Sequence, residues 1–291
     1  MTEEKKKRKK SPWWYRLAIL IFGAIFCVSA FMAGRDFLEA KKEADAFDSL
    51  SRLAAEYAEN GTQSSVETKT DGGSETVAEK VAEESSPEVK YAKLPDDPWK
   101  AAAGYAALQK VNPDYIGWIQ IPDTRLNYPV VFRESDPEYY LHRAFDGSKS
   151  YGGTPFLGEM SGVDTKCCII YGHNMKNGSM FGTLVSYKKA AYRTSHPLIY
   201  FYVNGEPRKY EIFAVVETKA LSDGEEGFRY HQYDGNISEE EWNELVTWLQ
   251  SSADYDTGII PDPQDQILML STCSYHVQDG RLVVAARRVA E

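Results

Sequence analysis

The sequence predicts a mostly β domain, closed into a barrel, that follows an N-terminal helical region. Aromatic residues make up 13% of the 291 residues, and Tyr alone occurs 19 times, which favours β structure. From residue 113 onward, short apolar runs of strand length recur between turn-forming residues. With 43% hydrophobic and 26% charged residues, the chain can bury a sizeable core and is not disordered throughout.

Net charge and cysteine content exclude two classes of protein. The formal net charge is −10, whereas a nucleic-acid-binding protein needs a basic face to neutralise phosphates. We therefore expect no nucleic-acid partner. Four cysteines in 291 residues are too few for a small scaffold held together by disulfides.

The N-terminal region predicts a membrane anchor. Residues 1–16 contain the run KKKRKK and end in an aromatic cluster, and the 18 residues 17–34 carry no charge. A helix of that length spans about 27 Å, close to the hydrocarbon thickness of a bilayer. Because positive charge stays on the cytoplasmic side, we expect a cytoplasmic basic tip at 1–16, a single-pass transmembrane signal anchor in the lipid bilayer of the cell membrane at 17–34, and an extracellular remainder. A cleaved signal peptide and a buried helix of a soluble protein are the alternatives.

Residues 35–96 predict a juxtamembrane helix followed by a flexible stalk. Apolar residues at spacings of three and four favour a helix over 36–60, and Gly61 can end it. The segment after it is rich in Ser, Thr and Glu and has few large apolar side chains, so burial cannot offset its ordering entropy. The folded domain is therefore assigned to residues 97–291.

Two helices are predicted within this domain. Asp97 can cap a helix over the alanine-rich segment that follows, with Pro98 in its first turn. Ser238 and Glu241 have the spacing of a capping box before an amphipathic stretch. The second helix is thus inserted in a connection between late strands.

Seven apolar segments predict the strands of a mostly antiparallel barrel. Asn204-Gly205 between two of them suits the type I′ turn of a hairpin. The continuous apolar run at 165–172 is typical of a buried strand. The segments are YIGWIQI, LNYPVVF, TKCCIIYG, LIYFYV, RKYEIFAVVE, QILMLSTC and RLVVAARRV.

Cys273 is the strongest candidate for a chemical role. It ends the apolar run QILMLST, so its thiol is expected at the rim of the sheet. A cysteine nucleophile needs a partner that raises its thiolate fraction and donors for the oxyanion that forms on attack. Arg281 opens the next strand and can return to the Cys273 end if the two strands are neighbours. Its guanidinium, always charged, suits an oxyanion or a substrate carbonyl.

His173 is the candidate base among the five histidines. It follows the buried run TKCCIIYG in a glycine-rich loop, where a side chain can be exposed on a rigid support. His276, three residues after Cys273, is its main rival. Cys167 and Cys168 are adjacent on a strand and point to opposite faces, so they cannot bind one metal ion together. No metal site is predicted.

Several motifs together resemble the sortase family, and class B sortases in particular. They are LSTC followed by RLVV, the histidine motif YGHNMKNGSMFG, and the segments NPDYIGWIQIPDTRLNYPVV, YYLHRAFDGSKSYGGTPFL and HPLIYFYVNGEPRKYEIFAVV. The resemblance covers about residues 98–289 in the family's order. It implies an eight-stranded β-barrel with an N-terminal helix and an inserted helix, and no cofactor.

The resemblance also implies a function. A sortase is a cysteine transpeptidase that cleaves a C-terminal sorting motif of a secreted protein after its threonine, through a thioester. It transfers the product to an amine of a peptidoglycan precursor or of another protein such as a pilin. His173, Cys273 and Arg281 match the family's catalytic positions.

Five further residues are predicted to line the substrate groove. Ser271 and Thr272 precede the cysteine, Tyr230 belongs to the segment before the inserted helix, and Leu126 and Asn127 approach from the opposite side. Two other readings stay open. One is a papain-like cysteine peptidase or amidase that uses water, although such enzymes place cysteine before histidine. The other is a stalked surface module that binds without catalysis.

Overall fold

The structure, a computed structural model, describes residues 13–60, 92–222 and 224–290. Most of the predicted basic tip, and the predicted stalk over 61–91, lie outside the described residues. The described part contains four α-helices and eight β-strands. The helices are α1 (Trp13–Asn60), α2 (Pro98–Ala106), α3 (Ala190–Ser195) and α4 (Glu239–Ser251). The strands are β1 (Tyr115–Gln120), β2 (Asn127–Val131), β3 (Phe156–Leu157), β4 (Cys167–Tyr171), β5 (Leu198–Val203), β6 (Glu206–Lys219), β7 (Ile267–Cys273) and β8 (Gly280–Val289).

The eight strands close a barrel in the order β1-β2-β3-β4-β7-β8-β6-β5. This confirms the predicted β-barrel with a helix before it and a helix between late strands. Six of the neighbouring pairs are antiparallel, whereas β2 with β3 and β4 with β7 are parallel. The parallel β4–β7 pair lies at the centre of the candidate site described below.

Local signals position three of these elements. The Asp97 carboxylate accepts hydrogen bonds from the backbone N–H groups of the first turn of α2. Asn204 and Gly205 both have positive φ, 54° and 76°, as the type I′ turn between β5 and β6 requires. Ser238 and Glu241 form the complete capping box of α4. In each case the residues that predicted the helix end or the turn from the sequence are the ones that stabilise it in the structure.

Two hydrophobic cores lie on the two faces of β7 and β8. Leu268 and Leu270 of β7 belong to the main core of the barrel, together with Leu282 and Val284 of β8. Side chains alternate along a strand, so the intervening residues face the other way. They pack with α4 in a second core, which contains Met269, Val283, Ala285, Trp242, Leu245 and Leu249.

The chain divides into two compact units, Met1–Asp45 and Ala46–Glu291. Within the second unit, the last part of α1 packs on the barrel: Phe47, Ala54 and Ala58 are buried, and the Phe47 ring meets Tyr128 edge-on with centroids 5.2 Å apart. Residues 17–34 lie within α1. Among the described residues, however, no helix is found with the length and apolarity needed to cross a bilayer. This finding contradicts the predicted transmembrane anchor at 17–34 and the single-pass, cell-membrane localisation derived from it.

Candidate active site

Cys273 and Arg281 face each other across the end of the β7–β8 hairpin. They are paired in the antiparallel register, at the last position of β7 and the second position of β8. Directly opposite residues have their side chains on the same face, with Cβ atoms about 4.5–5.5 Å apart. Cys273 and Arg281 therefore lie on neighbouring strands, at the same end of the hairpin.

Both side chains belong to the face of the second core. Alternation along β7 puts Cys273 on the same side as Ser271 and Met269, and alternation along β8 puts Arg281 on the side of Val283. Cys273 is half-buried, whereas Cys167 and Cys168 are buried. The strand end thus keeps one thiol within reach of solvent. The Arg281 guanidinium donates to the Gly280 carbonyl at 3.1 Å, which restrains it beside the strand.

His173 reaches the same end of the barrel through the parallel β4–β7 pair. Tyr171 is in register with Ser271, and His173 and Cys273 each come two residues later. Hydrogen bonds between the two strands continue past this last register pair. The Gly172 N–H donates to the Ser271 carbonyl at 3.2 Å, and the Thr272 hydroxyl donates to the Gly172 carbonyl at 2.6 Å. Neighbouring strands lie about 4.8 Å apart. The geometry therefore brings His173, Cys273 and Arg281 to one edge.

The loop after β4 is held tightly to the barrel. The Asn174 side-chain amide donates to the Cys273 carbonyl at 2.8 Å, and the Phe181 N–H donates to the His173 carbonyl at 2.9 Å. A Cβ atom on Gly172 would lie 2.8 Å from the fully buried Phe181 ring. Glycine is therefore needed directly before His173, because any side chain would displace that ring.

Tyr230 lies close to Cys273 and Arg281. Its hydroxyl is 2.7 Å from the Ser271 hydroxyl, and both side chains are buried, at 3% and 1% exposure. Burial raises the pKa of Tyr230, while the hydrogen bond with Ser271 and the positive charge of Arg281 act in the opposite direction, and a Cys273 thiolate would raise this pKa further. Tyr230 is thus electrostatically coupled to both Cys273 and Arg281.

A charged network that the sequence reasoning missed anchors the β7–β8 loop. Glu217 of β6 accepts from Lys188 at 2.8 Å and from the Ser274 hydroxyl at 2.7 Å, and it lies 3.2 Å from His276 Nδ1. Burial raises the pKa of Glu217, but the hydrogen bonds from Lys188 and Ser274 outweigh it and leave the pKa below its ordinary value. His276, the rival base, is thus engaged in holding the loop. The available signal was a glutamate at the end of the apolar run EIFAVVE.

The other predicted substrate-binding residues are turned into the protein. Leu126 is fully buried, and Thr272 is buried and bonded to Gly172. The Asn127 side-chain oxygen Oδ1 accepts a hydrogen bond from the Trp118 indole N–H at 2.7 Å. A substrate-binding role for these three side chains stays a prediction that their internal contacts do not favour.

The two adjacent cysteines of β4 are not a second reactive site. Within 13–60, 92–222 and 224–290, no group of three or more His, Cys, Asp or Glu is arranged to hold a metal ion. Burial raises the pKa of both adjacent thiols, that of Cys168 to about 12. Two thiols that resist ionisation are packing residues of β4 and not nucleophiles.

This chain is similar to sortases in sequence and in fold. The sortase domain family model matches residues 119–289. Sortase B of Listeria monocytogenes is 30% identical over 188 residues, which cover 63% of this chain and 73% of that protein. The crystal structure of sortase B from Bacillus anthracis in complex with AAEK1 is 33% identical, with a TM-score of 0.55, and the match covers 65% of this chain and 85% of that one.

A third similarity extends over more of the chain. The Staphylococcus aureus sortase B–substrate complex has a TM-score of 0.64, and the match covers 87% of this chain and 98% of that one. At 19% identity it bears on the fold alone. Because the family model matches more than half of the sequence and the relatives are of one class, this chain belongs to the sortase family of cysteine transpeptidases, as a class B member.

Proposed function

We propose that this chain cleaves a sorting motif near the C-terminus of secreted proteins after its threonine and joins the threonine carbonyl to an amine. The motifs that resemble class B sortases, and membership of the sortase family, support this reaction. The observation that carries the proposal is the register pair Cys273–Arg281, beside a parallel strand that ends two residues before His173. In the proposal, Cys273 is the nucleophile, Arg281 the fixed cation and His173 the proton carrier.

In the first step, the Cys273 thiolate attacks the threonine carbonyl carbon. The carbonyl oxygen becomes an oxyanion, which Arg281 and a backbone N–H stabilise. His173, as imidazolium, gives its proton to the leaving amide nitrogen. The C–N bond breaks, and a thioester on Cys273 and a free amine on the cleaved segment remain.

In the second step, an amine of a peptidoglycan precursor or of a pilin-like protein attacks the thioester. Neutral His173 takes the proton of the incoming amine, and the Cys273 thiolate leaves. The active form of the resting enzyme is the thiolate–imidazolium pair, so turnover depends on the fraction of molecules in that state. Water at the same carbon would give hydrolysis, and the ratio of the two products measures how well the site selects an amine.

Mass spectrometry of the full chain with a library of threonine-containing sorting peptides tests the proposal. The expected result is a peptide adduct on Cys273 that disappears when an amine is added and a ligated product appears. Cys273→Ala should form no adduct, whereas the matched control Cys27→Ala, which removes the exposed thiol of α1, should react normally. A folded protein that forms no adduct on Cys273 with any peptide would refute the proposal.

Arg281 can be tested separately from the fold. Arg281→Lys replaces a planar fork by a point charge, and removing one oxyanion donor typically costs about 10²–10³ in kcat. Arg288→Lys, near the other end of β8, is the matched control and should keep its activity. Wild-type turnover in Arg281→Lys would overturn the role given to this residue.

A further inference from the structure

A short 3₁₀ turn, Tyr139–His142, contacts the His173 imidazole in two ways. The Leu141 carbonyl oxygen lies 2.8 Å from His173 Nε2. The ring of the next residue, His142, is stacked on the His173 ring with centroids 5.2 Å apart and planes 23° from parallel. Two consecutive residues therefore hold one edge and one face of the same side chain.

The turn is itself fixed to the barrel, independently of His173. Tyr140 is 2% exposed; its hydroxyl accepts from the Asn112 side-chain amide at 3.0 Å and donates to Asp114 at 2.9 Å. The Thr154 N–H donates to the Tyr140 carbonyl at 3.1 Å. The Arg133 guanidinium covers the Tyr139 ring at 3.5 Å and pairs with Asp114. The backbone that carries the Leu141 carbonyl and the His142 ring is therefore rigid.

These contacts restrict the chemistry that His173 can perform. A carbonyl oxygen only accepts hydrogen bonds, so Nε2 must carry a proton in this arrangement. In the neutral ring Nδ1 is then the basic nitrogen, and in the imidazolium Nδ1 carries the proton that can be given away. The stacked His142 ring resists rotation of the His173 ring about its Cβ–Cγ bond, because rotation would tilt the planes out of contact.

We propose that His142 is a positioning residue: together with the Leu141 carbonyl it holds His173 in one orientation and in the Nε2–H tautomer, so that Nδ1 is the atom that exchanges protons in acyl transfer. This inference rests on the proposed function of His173. His142 is exposed, and the proposal gives it no part in proton transfer. Its contribution is the flat face, which an aromatic ring of similar width can replace.

Two variants separate the stacked face from the imidazole chemistry of His142. His142→Ala removes the stacked ring and leaves the Leu141 carbonyl in place. His142→Phe restores a flat ring that cannot titrate. His196→Ala is the matched control, because His196 also stacks on an aromatic ring, that of Tyr192 with centroids 4.2 Å apart, but in the α3–β5 connection. All three variants should keep the fold of the full chain, which circular dichroism checks.

The first readout is kinetic. Misplacement of a catalytic group by about 1 Å can cost up to about 100-fold in rate, and a loosened ring should fall short of that limit. We therefore expect His142→Ala to lower kcat about tenfold with little change in KM, His142→Phe to return it to within about twofold of wild type, and His196→Ala to match wild type. Wild-type kcat in His142→Ala, or a Phe variant as slow as the Ala variant, would overturn the proposal.

The second readout does not require activity. The ¹⁵N chemical shifts of the His173 ring in the resting full chain report which nitrogen carries the proton. Wild type and His142→Phe should show the Nε2–H tautomer, and His142→Ala should show a mixture. If wild type shows a mixture, the positioning proposal fails even where acyl transfer is found. If the Nε2–H signature is present but Cys273 forms no thioester, the proposed function fails and the positioning of the ring stands.

Discussion

The hydrogen bond between Tyr230 and Ser271 gives the sharpest prediction about stability. Tyr230→Phe removes one hydroxyl and leaves the Ser271 hydroxyl buried, at 1% exposure, without the partner that it has 2.7 Å away. An unsatisfied buried hydroxyl costs about 1–3 kcal/mol. For a domain of this size each kcal/mol lowers Tm by about 2–4 °C, so we expect Tm to fall by at least about 2 °C.

A double-mutant cycle isolates this interaction. Ser271→Ala in the Tyr230→Phe background removes the stranded hydroxyl, so the double variant should recover part of the lost stability. Tyr115→Phe is the matched control, because Tyr115 is equally buried, at 3% exposure, and its hydroxyl has no hydrogen-bond partner in the described part of the chain. It should be neutral or stabilising. Thermal unfolding followed by circular dichroism measures wild type, Tyr230→Phe, Ser271→Ala, the double variant and Tyr115→Phe, and equal Tm values for Tyr230→Phe and Tyr115→Phe would refute the reasoning.

Three further predictions concern the same end of the barrel. At about pH 8, iodoacetamide should modify Cys273 in the folded chain and leave Cys168 unmodified until denaturant is added, because burial raises the pKa of the Cys168 thiol to about 12; peptide mapping reads both sites. Gly172→Ala should displace the Phe181 ring, cost about 1–3 kcal/mol in thermal unfolding and slow acyl transfer, because the new Cβ lies 2.8 Å from that ring. Glu217→Gln should lower Tm at neutral pH. A carboxylate with a lowered pKa stabilises the fold above its unfolded pKa, so the difference from wild type should shrink below about pH 4.

Each of these expectations has a clear contrary outcome. Equal labelling of the two thiols in the native protein would contradict the burial of Cys168. Wild-type Tm and transfer rate in Gly172→Ala would mean that the Phe181 ring yields without cost. If the Tm difference between Glu217→Gln and wild type instead grows as the pH falls, the hydrogen bonds from Lys188 and Ser274 do not stabilise the loop.

Signals within a single element were readable in the sequence. The capping box at Ser238 and the Asn204-Gly205 turn each depend on residues within four positions of one another, and both predictions are confirmed. Longer apolar runs gave the remaining strands. The strand β3 was not predicted, because its two residues are too few to show the alternation of apolar and polar residues that identifies a strand. Family membership decides against the papain-like and non-catalytic alternatives that the residues alone left open.

Contacts between distant elements could not be read in the same way. Glu217 of β6 meets Ser274, which follows β7, only because β8 lies between these two strands in the barrel, and the sequence does not state that order. The apolar spacing over 36–60 indicated a helix, but its packing on the barrel through Phe47 depends on where the helix lies. The uncharged run at 17–34 was interpreted from local composition alone, and that interpretation is the one contradicted.

The order of the residues Ser271-Thr272-Cys273 follows from the two faces of β7. Ser271 faces the second core and bonds to Tyr230, Thr272 faces the main core and bonds to the Gly172 carbonyl, and Cys273 returns to the face of Tyr230 at the open strand end. A shift of the cysteine by one position would turn its thiol toward the barrel interior, away from Arg281. Arg281 of β8 lies directly opposite Cys273 of β7, so the alternation of side chains along the strands sets the face of both residues. The register of one hairpin, and not the composition of the loop between its strands, therefore determines that a thiol and a guanidinium share a face.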